Sequence, residues 1–369
     1  MNGAKSEFDE TLEPIMAPPP PLPLHGRGAS ANPANRFEAL AFEPDAEDLP
    51  NDEERPRLTT KFYRDFSRTI IAHNDSPDVG FESSLNPYRG CEHGCIYCYA
   101  RPTHEFLGFS AGLDFESRIM VKENASELLA AELAKPGWKP QVLAMSGVTD
   151  PYQPVERRLK ITRGCLEVLA RFRNPVGIIT KNQLVTRDID LLGELAAYQA
   201  AAVNISVTSL DPKMQRILEP RTSTPRARLD AIAQLRAAGI PVGVMVAPII
   251  PGLTDHEAPA ILQAAAEAGA QWAAYTVVRL PLAVAPLFAR WLEEHFPERK
   301  EKVLGRIRHL RGGERLNDPR FKSRMVGEGI FAEQIAALFA AGCKRAGIGG
   351  RAKLSTAAFR RPNEQLALF

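Results

Sequence analysis

The sequence predicts an α/β fold built on a parallel sheet, and three observations carry that expectation. From about residue 80 to residue 290, short β-branched runs alternate with helical patterns. The repeat is roughly 30 to 40 residues, the size of one β/α unit. The strand runs are nearly continuously apolar, as strands buried on both faces must be. A (β/α) barrel or partial barrel fits this pattern, and so does a doubly wound open sheet.

The elements follow in order. SSLNPY (83–88) reads as a first strand and leads into a cysteine-rich loop. Later strands are expected at QVLAMSG (141–147), VGIITKN (176–182), VNISVTS (203–209), PVGVMVAP (241–248) and WAAYTVVRL (272–280). The helical patterns ASELLAAELAK, TRGCLEVLARF, RDIDLLGELAAY, TPRARLDAIAQLRAAG and DHEAPAILQAAAEAG lie between them. Their apolar residues recur three and four positions apart, and several end in Gly, which favours a helix C-cap. In either architecture, chemistry is expected at the C-terminal ends of the strands.

Outside the repeats the pattern changes. Residues 1–58 read as a disordered, acidic, Pro-rich tail, with a polyproline II run at Pro18–Leu24. Residues 59–290 form the β/α body. Residues 291–352 read as a basic extension with two amphipathic helices, FARWLEEHF and GIFAEQIAALFAAGCKRAG, and 353–369 as a second tail.

The net charge of +2 hides an asymmetry. Residues 1–55 carry twelve acids and four bases, a net −8, which leaves +10 for the remainder. A basic body suits a polyanion such as nucleic acid, although basic helical faces are also commonly just solvated. No apolar run approaches the roughly 18 residues that span a bilayer. The acidic N-terminus lacks the apolar core of a secretory signal. The five cysteines, three of them clustered, argue for metal ligation in a reducing compartment. A cytoplasmic protein is expected. Dinucleotide GxGxxG, Walker A and HExxH patterns are absent from the sequence.

The cluster is Cys91-Glu-His-Gly-Cys95-Ile-Tyr-Cys98, spaced C-x3-C-x2-C, with Tyr97 and Tyr99 at its end. Three thiolates can hold three irons of a [4Fe-4S] cluster and leave the fourth iron open. A zinc site wants four ligands, usually as two pairs. His93 and His104 lie near, but the second cysteine pair is missing.

This loop, placed after the first strand of a β/α series, resembles that of the radical S-adenosylmethionine (SAM) superfamily. NPYRGCEHGCIYCYAR followed by VTDPYQPVERRLKITR is similar to the subfamily related to spore photoproduct lyase. The resemblance covers about residues 80 to 290 and implies a partial (β/α)6 barrel of the radical SAM type. It implies that Cys91, Cys95 and Cys98 hold the cluster, whose open iron chelates SAM. SAM is then cleaved reductively to a radical that removes hydrogen from a substrate, with a reductase or flavodoxin-type protein as electron donor. Tyr97 would pack beside the adenine, and Tyr97 or Tyr99 would pass on a hydrogen atom. The lyase uses a further cysteine as hydrogen donor about forty residues after the cluster. Here that region reads VLAMSGVTDPYQ and has no cysteine, while Cys165 lies on a predicted helix and Cys343 outside the repeats.

Further SAM partners are expected at strand ends. Ser146, Thr149 and Asp150 sit where the family contacts the methionine amino group, and equally where an Asx-type turn would form. Thr180, Lys181 and Asn182 end a strand, and the lysine could hold a carboxylate or phosphate. Ser206 and Thr208 share one strand face with Asn204. Polar groups on an apolar strand need partners, and the ribose is one candidate. Arg221 either binds the SAM carboxylate or caps a helix. The loop Pro248–Asp255 matches the family's adenine-flanking loop.

The chain ends in Gln365-Leu366-Ala367-Leu368-Phe369. This resembles the pentapeptide by which bacterial replication and repair proteins dock on the sliding clamp. Leu368 and Phe369 would fill an apolar pocket and the Gln365 amide would bond at its rim. Two enzyme readings stand, a radical SAM enzyme acting on DNA or another nucleic acid and one acting on a protein or small molecule. A non-catalytic iron–sulfur clamp adaptor is the third.

Overall fold

Val176–Thr180 and Ala201–Ser206, two of the predicted apolar runs, lie side by side at the centre of a seven-stranded sheet in a computed structural model. The structure describes residues 26–37, 58–350 and 352–362. The polyproline run and the Gln365–Phe369 peptide lie outside the described residues.

In chain order the strands are β1 (Lys61–Arg64), β2 (Ile71–His73), β3 (Ser83–Leu85), β4 (Tyr88–Arg89), β5 (Arg118–Val121), β6 (Leu143–Met145), β7 (Val176–Thr180), β8 (Ala201–Ser206), β9 (Val242–Ile249) and β10 (Ala273–Val277). The α-helices are α1 (Leu113–Ser117), α2 (Ala125–Ala134), α3 (Glu156–Leu159), α4 (Ile161–Phe172), α5 (Ile189–Ala197), α6 (Pro212–Leu218), α7 (Pro225–Ala237), α8 (Ala258–Glu267), α9 (Val284–His295), α10 (Lys300–Leu310), α11 (Ser323–Val326) and α12 (Ile330–Ala346).

The main sheet runs β10-β9-β8-β7-β6-β3-β2. Six of its strands are parallel, at the six predicted places, and β2 adds an antiparallel edge to β3. Among the described residues β10 pairs with β9 and not with β3, so the sheet stays open. The ends of β7, β8, β9 and β10 nevertheless line one cavity together with the cysteine loop. That curvature makes the sheet a partial barrel and decides against a flat, doubly wound one.

The crossover helices cover the outside of the sheet. Leu129 and Leu133 on α2, Leu166 and Leu169 on α4, Leu192 and Leu195 on α5, Ile232 and Leu235 on α7, and Ile261 and Leu262 on α8 are all fully buried. Their three- and four-residue spacing keeps each set on one helix face, and each such side chain stabilises by about 1.5–3 kcal/mol. Local chemistry fixes the helix starts. The Thr224 hydroxyl accepts from the Ala227 amide with Pro225 at the first helical position, and Asp211 with Pro212 does the same for α6.

Three features depart from the sequence reading. Residues 26–37 were expected in the disordered tail but lie against the cysteine loop. The Gly28 and Ala29 amides donate to the Glu116 carboxylate at 3.0 and 2.9 Å, satisfying a charge that is fully buried. Second, β1, β5 and β4 form a separate three-stranded sheet inside the β3-to-β6 crossover. All four β1 residues are exposed, so no apolar run announces that strand. Third, part of the C-terminal segment is docked: the Ser355 amide donates to the Gln199 carbonyl and Phe359 lies 6.2 Å from Phe172. Burial of Phe359 against the main core ties that segment down. The extension also packs closely, since a Cβ on Gly342 of α12 would lie 2.7 Å from Leu262 of α8. No helix among the described residues is long and apolar enough to cross a membrane.

Candidate active site

The chain leaves the main sheet at β3, passes through β4 of the small sheet and enters the cysteine loop, which one buried arginine holds. Arg101 donates to the carbonyls of Cys95, Ala111 and Gly112 and pairs with Glu116. Both side chains of that pair are fully buried. Four carbonyls, that of Gly94 included, and a carboxylate thus share the guanidinium donors, which fixes the loop's shape. Gly28 lies so close that a Cβ there would sit 1.7 Å from the Gly94 carbonyl oxygen.

The loop after β6 holds the cysteine loop from the other side. The Thr149 hydroxyl donates to the Gly90 carbonyl at 2.7 Å, and the Glu92 amide donates to Gln153 at 2.9 Å. Glu92 in turn accepts from the Val155 amide at 2.7 Å. The two sequence segments that carry the subfamily resemblance therefore brace each other.

Cys91, Cys95 and Cys98 line one cavity of about 270 Å³. Tyr97, Tyr99, Ser146, Thr149, Asp150 and Ser206 line the same cavity, so most of the predicted site residues meet. Thr180, Lys181 and Pro248 join them. Among the described residues, no group of three His, Cys, Asp or Glu side chains is arranged to hold a single metal ion. Three thiols at one cavity match three irons of a cluster with one corner open, whereas a structural zinc wants four ligands. Burial raises the Cys95 and Cys98 thiols, with Glu219 adding to the first and Cys91 to the second. Their thiolates need a cation for company.

Several predicted positions have other duties. Asp150 accepts from the Thr180 hydroxyl at 2.7 Å and from the Lys181 and Tyr152 amides, and its second oxygen lies 3.4 Å from His93 Nδ1. Burial opposes this charge, but His93 and these donors hold the carboxyl below its ordinary range. Asp150 thus locks the ends of β6 and β7 to the cysteine loop. Thr208 does not line the cavity. Its hydroxyl donates to Glu219 and lies 2.9 Å from the Ala247 carbonyl. Asn204 bonds Trp272 Nε1 at 2.8 Å, so the polar strand face is satisfied by protein at that level. Arg221 is the clear correction: its guanidinium lies 3.5 Å from Glu92 and donates to Thr60, behind the cysteine loop and away from the cavity. The Arg221 amide donates to the His93 carbonyl at 3.2 Å, which ties this turn to the cysteine loop.

Sequence reasoning missed Glu219. This fully buried carboxylate pairs with Arg228 and, at 3.1 Å, with Lys181, and accepts from Tyr97 and Thr208. Burial opposes its charge, yet Arg228 and Lys181 pull it well below the usual carboxylate range. Glu219 sits on a turn after α6, in a run without apolar periodicity, so nothing local marks it. Arg279 was missed as well. It follows β10, lines the cavity and places its guanidinium 5.1 Å from the Tyr99 ring centre. Tyr99 is half-exposed and its hydroxyl donates to the Gly147 carbonyl at 2.6 Å.

Four further reactive side chains have other places. Gly108-Phe109-Ser110-Ala111-Gly112 has the letters of a nucleophile elbow, but it forms the turn into α1 and follows no strand. The Ser110 hydroxyl donates to the Pro33 carbonyl at 2.6 Å. His104 bonds the Arg118 carbonyl through Nε2, away from the cavity. Cys165 is fully buried on α4 and Cys343 lies on α12; neither lines the cavity.

The comparisons with known proteins agree with this geometry. The Radical SAM superfamily pattern matches residues 85–265. An uncharacterized protein of Mycobacterium tuberculosis is 40% identical over 232 residues, 62% of this chain and 67% of that protein. The Radical SAM Nalpha-GlyT isomerase of Pseudomonas phage M6 is 28% identical over 173 residues, 46% of this chain and 34% of that protein. Among solved structures, spore photoproduct lyase complexed with dinucleoside spore photoproduct aligns at a TM-score of 0.55 and 16% identity. That alignment covers 77% of this chain and 79% of the lyase, and at this identity it speaks for the fold. The shared fold, this chain's own three-cysteine loop at the cavity and the matching sequence pattern coincide, and the chain belongs to the radical SAM superfamily.

Proposed function

We propose that this radical SAM enzyme acts on a nucleobase in DNA or another nucleic acid. The observation that carries the reading is the cavity in which three thiols meet the ends of four barrel strands. Cys91, Cys95 and Cys98 would hold a [4Fe-4S] cluster. With SAM bound, the cluster would supply reductive S–C bond cleavage and a hydrogen-abstracting radical. Ser146 and Ser206 offer hydroxyls for SAM on the cavity wall, and Tyr97 offers its ring. Asp150 and Thr149 act as braces and position the loop.

The two tyrosines divide their roles. The Tyr97 hydroxyl is committed to Glu219, whereas half-exposed Tyr99 sits at the cavity wall beside Arg279. Tyr99 is therefore the hydrogen-atom donor this reading favours, since no cysteine occupies 141–152. The nucleic-acid substrate draws support from the lyase fold, from the phage isomerase, whose name specifies a GlyT substrate, and from the net +10 of residues 56–369. Docking on a sliding clamp through Gln365, Leu366, Leu368 and Phe369, a flavodoxin-type electron donor and a cytoplasmic location complete the proposal.

Anaerobically reconstituted protein, given SAM and dithionite, should convert a nucleoside of added DNA or RNA to a product that separates from it by chromatography. Nucleoside mass spectrometry reads the result. SAM cleavage that proceeds without any change in DNA or RNA, but with a change in added protein or small metabolites, refutes the substrate assignment.

A further inference from the structure

The small sheet β1-β5-β4 has two unlike faces. Ile119 and Val121 on β5 and Tyr88 on β4 are buried on the inner one. Side chains alternate along a strand, so the intervening residues face outward. These are Lys61 and Tyr63 on β1, Arg118 and Met120 on β5, and Arg89 on β4. The register sets Lys61 beside Arg118, and Tyr63 and Arg89 on either side of Met120. Phe109 joins them, 5.9 Å from the Tyr63 ring and 5.1 Å from the Arg118 guanidinium. Lys61, Tyr63 and Arg118 are exposed.

Two carboxylates approach this face. Asp114 lies 3.2 Å from Arg118, and Asp65, largely buried, lies 2.9 Å from Arg89. Among the described residues no carboxylate is within ion-pair distance of Lys61. The face also adjoins the cysteine loop. Thr60, next to Lys61, accepts from Arg221, whose amide donates to the His93 carbonyl at 3.2 Å.

We propose that this sheet face docks a single strand of nucleic acid, with phosphates on Lys61 and Arg118 and a base stacked on Tyr63 and Phe109. Cations interleaved with π-faces on a flat sheet match the alternation of phosphate and base along a strand. Addition of another protein's strand to the edge fits less well, because lysine and arginine on a short edge strand oppose it. The inference rests on the nucleic-acid reading above and adds where the strand lies.

Fluorescence anisotropy of the reconstituted full chain with a labelled 20-nucleotide DNA, single-stranded and duplex, tests it. K61E/R118E should weaken single-strand binding more than tenfold and reduce the salt slope by about 1 to 2. Y63A should weaken it about tenfold. K302E/R345E changes the net charge equally on other exposed basic residues and should stay within twofold. Circular dichroism melts confirm that each variant is folded. If wild type binds with salt dependence and the sheet variants bind as well as wild type, or the control weakens equally, the docking face is wrong. If wild type shows no salt-sensitive binding to DNA or RNA, the nucleic-acid reading itself falls. A Y63A defect equal for single strands and duplex also overturns the stacking assignment.

Discussion

The Tyr97 hydroxyl donates to the Glu219 carboxylate, two groups 122 residues apart that are both fully buried beside the cysteine loop. Arg228 and Lys181 balance the charge, and the Lys181 ammonium also lies 5.8 Å from the Tyr97 ring centre. One carboxylate thereby orients the aromatic wall of the cavity and the lysine that ends β7. Glu219→Gln leaves Arg228 and Lys181 buried without their counter-charge. It should destabilise the protein by about 3–5 kcal/mol. Tyr97→Phe removes a single bond to a charged acceptor and should cost about 1.5–3 kcal/mol. Urea melts of both variants check the order.

His104 predicts an acid-sensitive stability. Its ring is fully buried between Phe109 and Phe115, and burial pushes the imidazole down to about 4 from its ordinary 6.5. The unfolded chain therefore binds more protons between these values. This group's contribution is complete above about pH 6.5 and is lost as pH falls toward 4, by up to about 3 kcal/mol. His104→Phe should flatten that part of the stability–pH curve, measured by urea midpoint at pH 7 and pH 4.5.

Gly28 tests whether residues 26–37 belong to the site. A Cβ there would meet the Gly94 carbonyl at 1.7 Å, between Cys91 and Cys95, and backbone cannot yield as a side-chain tip can. Gly28→Ala should lower bound iron and sulfide per chain after anaerobic reconstitution by more than half. Unchanged iron content would mean that the segment is dispensable.

Asp78 and Arg324 clasp the two segments that roof the cavity. Asp78 is almost fully buried, accepts from the Lys322 amide and pairs with Arg324, which also donates to Ser76. Val79, Phe81 and Met325, carried by the same segments, line the cavity. Burial works against the Asp78 charge, while Lys322 and Arg324 hold the carboxyl below its usual range. Arg324→Ala should raise amide exchange in 74–82 and 322–327 at least tenfold and leave iron content unchanged.

The parallel body was legible because each strand is an apolar run and each helix has a periodic apolar face. All six predicted strands are present, and the cysteines were legible because their three ligands are local in sequence. What escaped reading depends on long-range pairing. Glu219 and Glu116 are buried charges that depend on partners far along the chain, Tyr97 and the Gly28 amide among them, and Arg279 reaches the cavity beside Tyr99, 180 residues away in sequence. β1 escaped because it is four exposed residues, two aromatics flanked by two cations, with no buried alternation to mark a strand. Arg221 was misplaced because its turn gives no sign of which way the side chain leaves. Thr149 and Asp150 line the cavity, and their bonds brace the cysteine loop and the strand ends.

The central claim is that Cys91, Cys95 and Cys98 hold a SAM-cleaving cluster. Anaerobic reconstitution with iron and sulfide, then dithionite and SAM, should yield 5′-deoxyadenosine by chromatography. C91A/C95A/C98A should yield none while keeping its fold. Loss of all product in the triple variant and several turnovers in the wild type is the predicted result. Equal product from both proteins, or none from a wild type that carries a full complement of iron, contradicts the account.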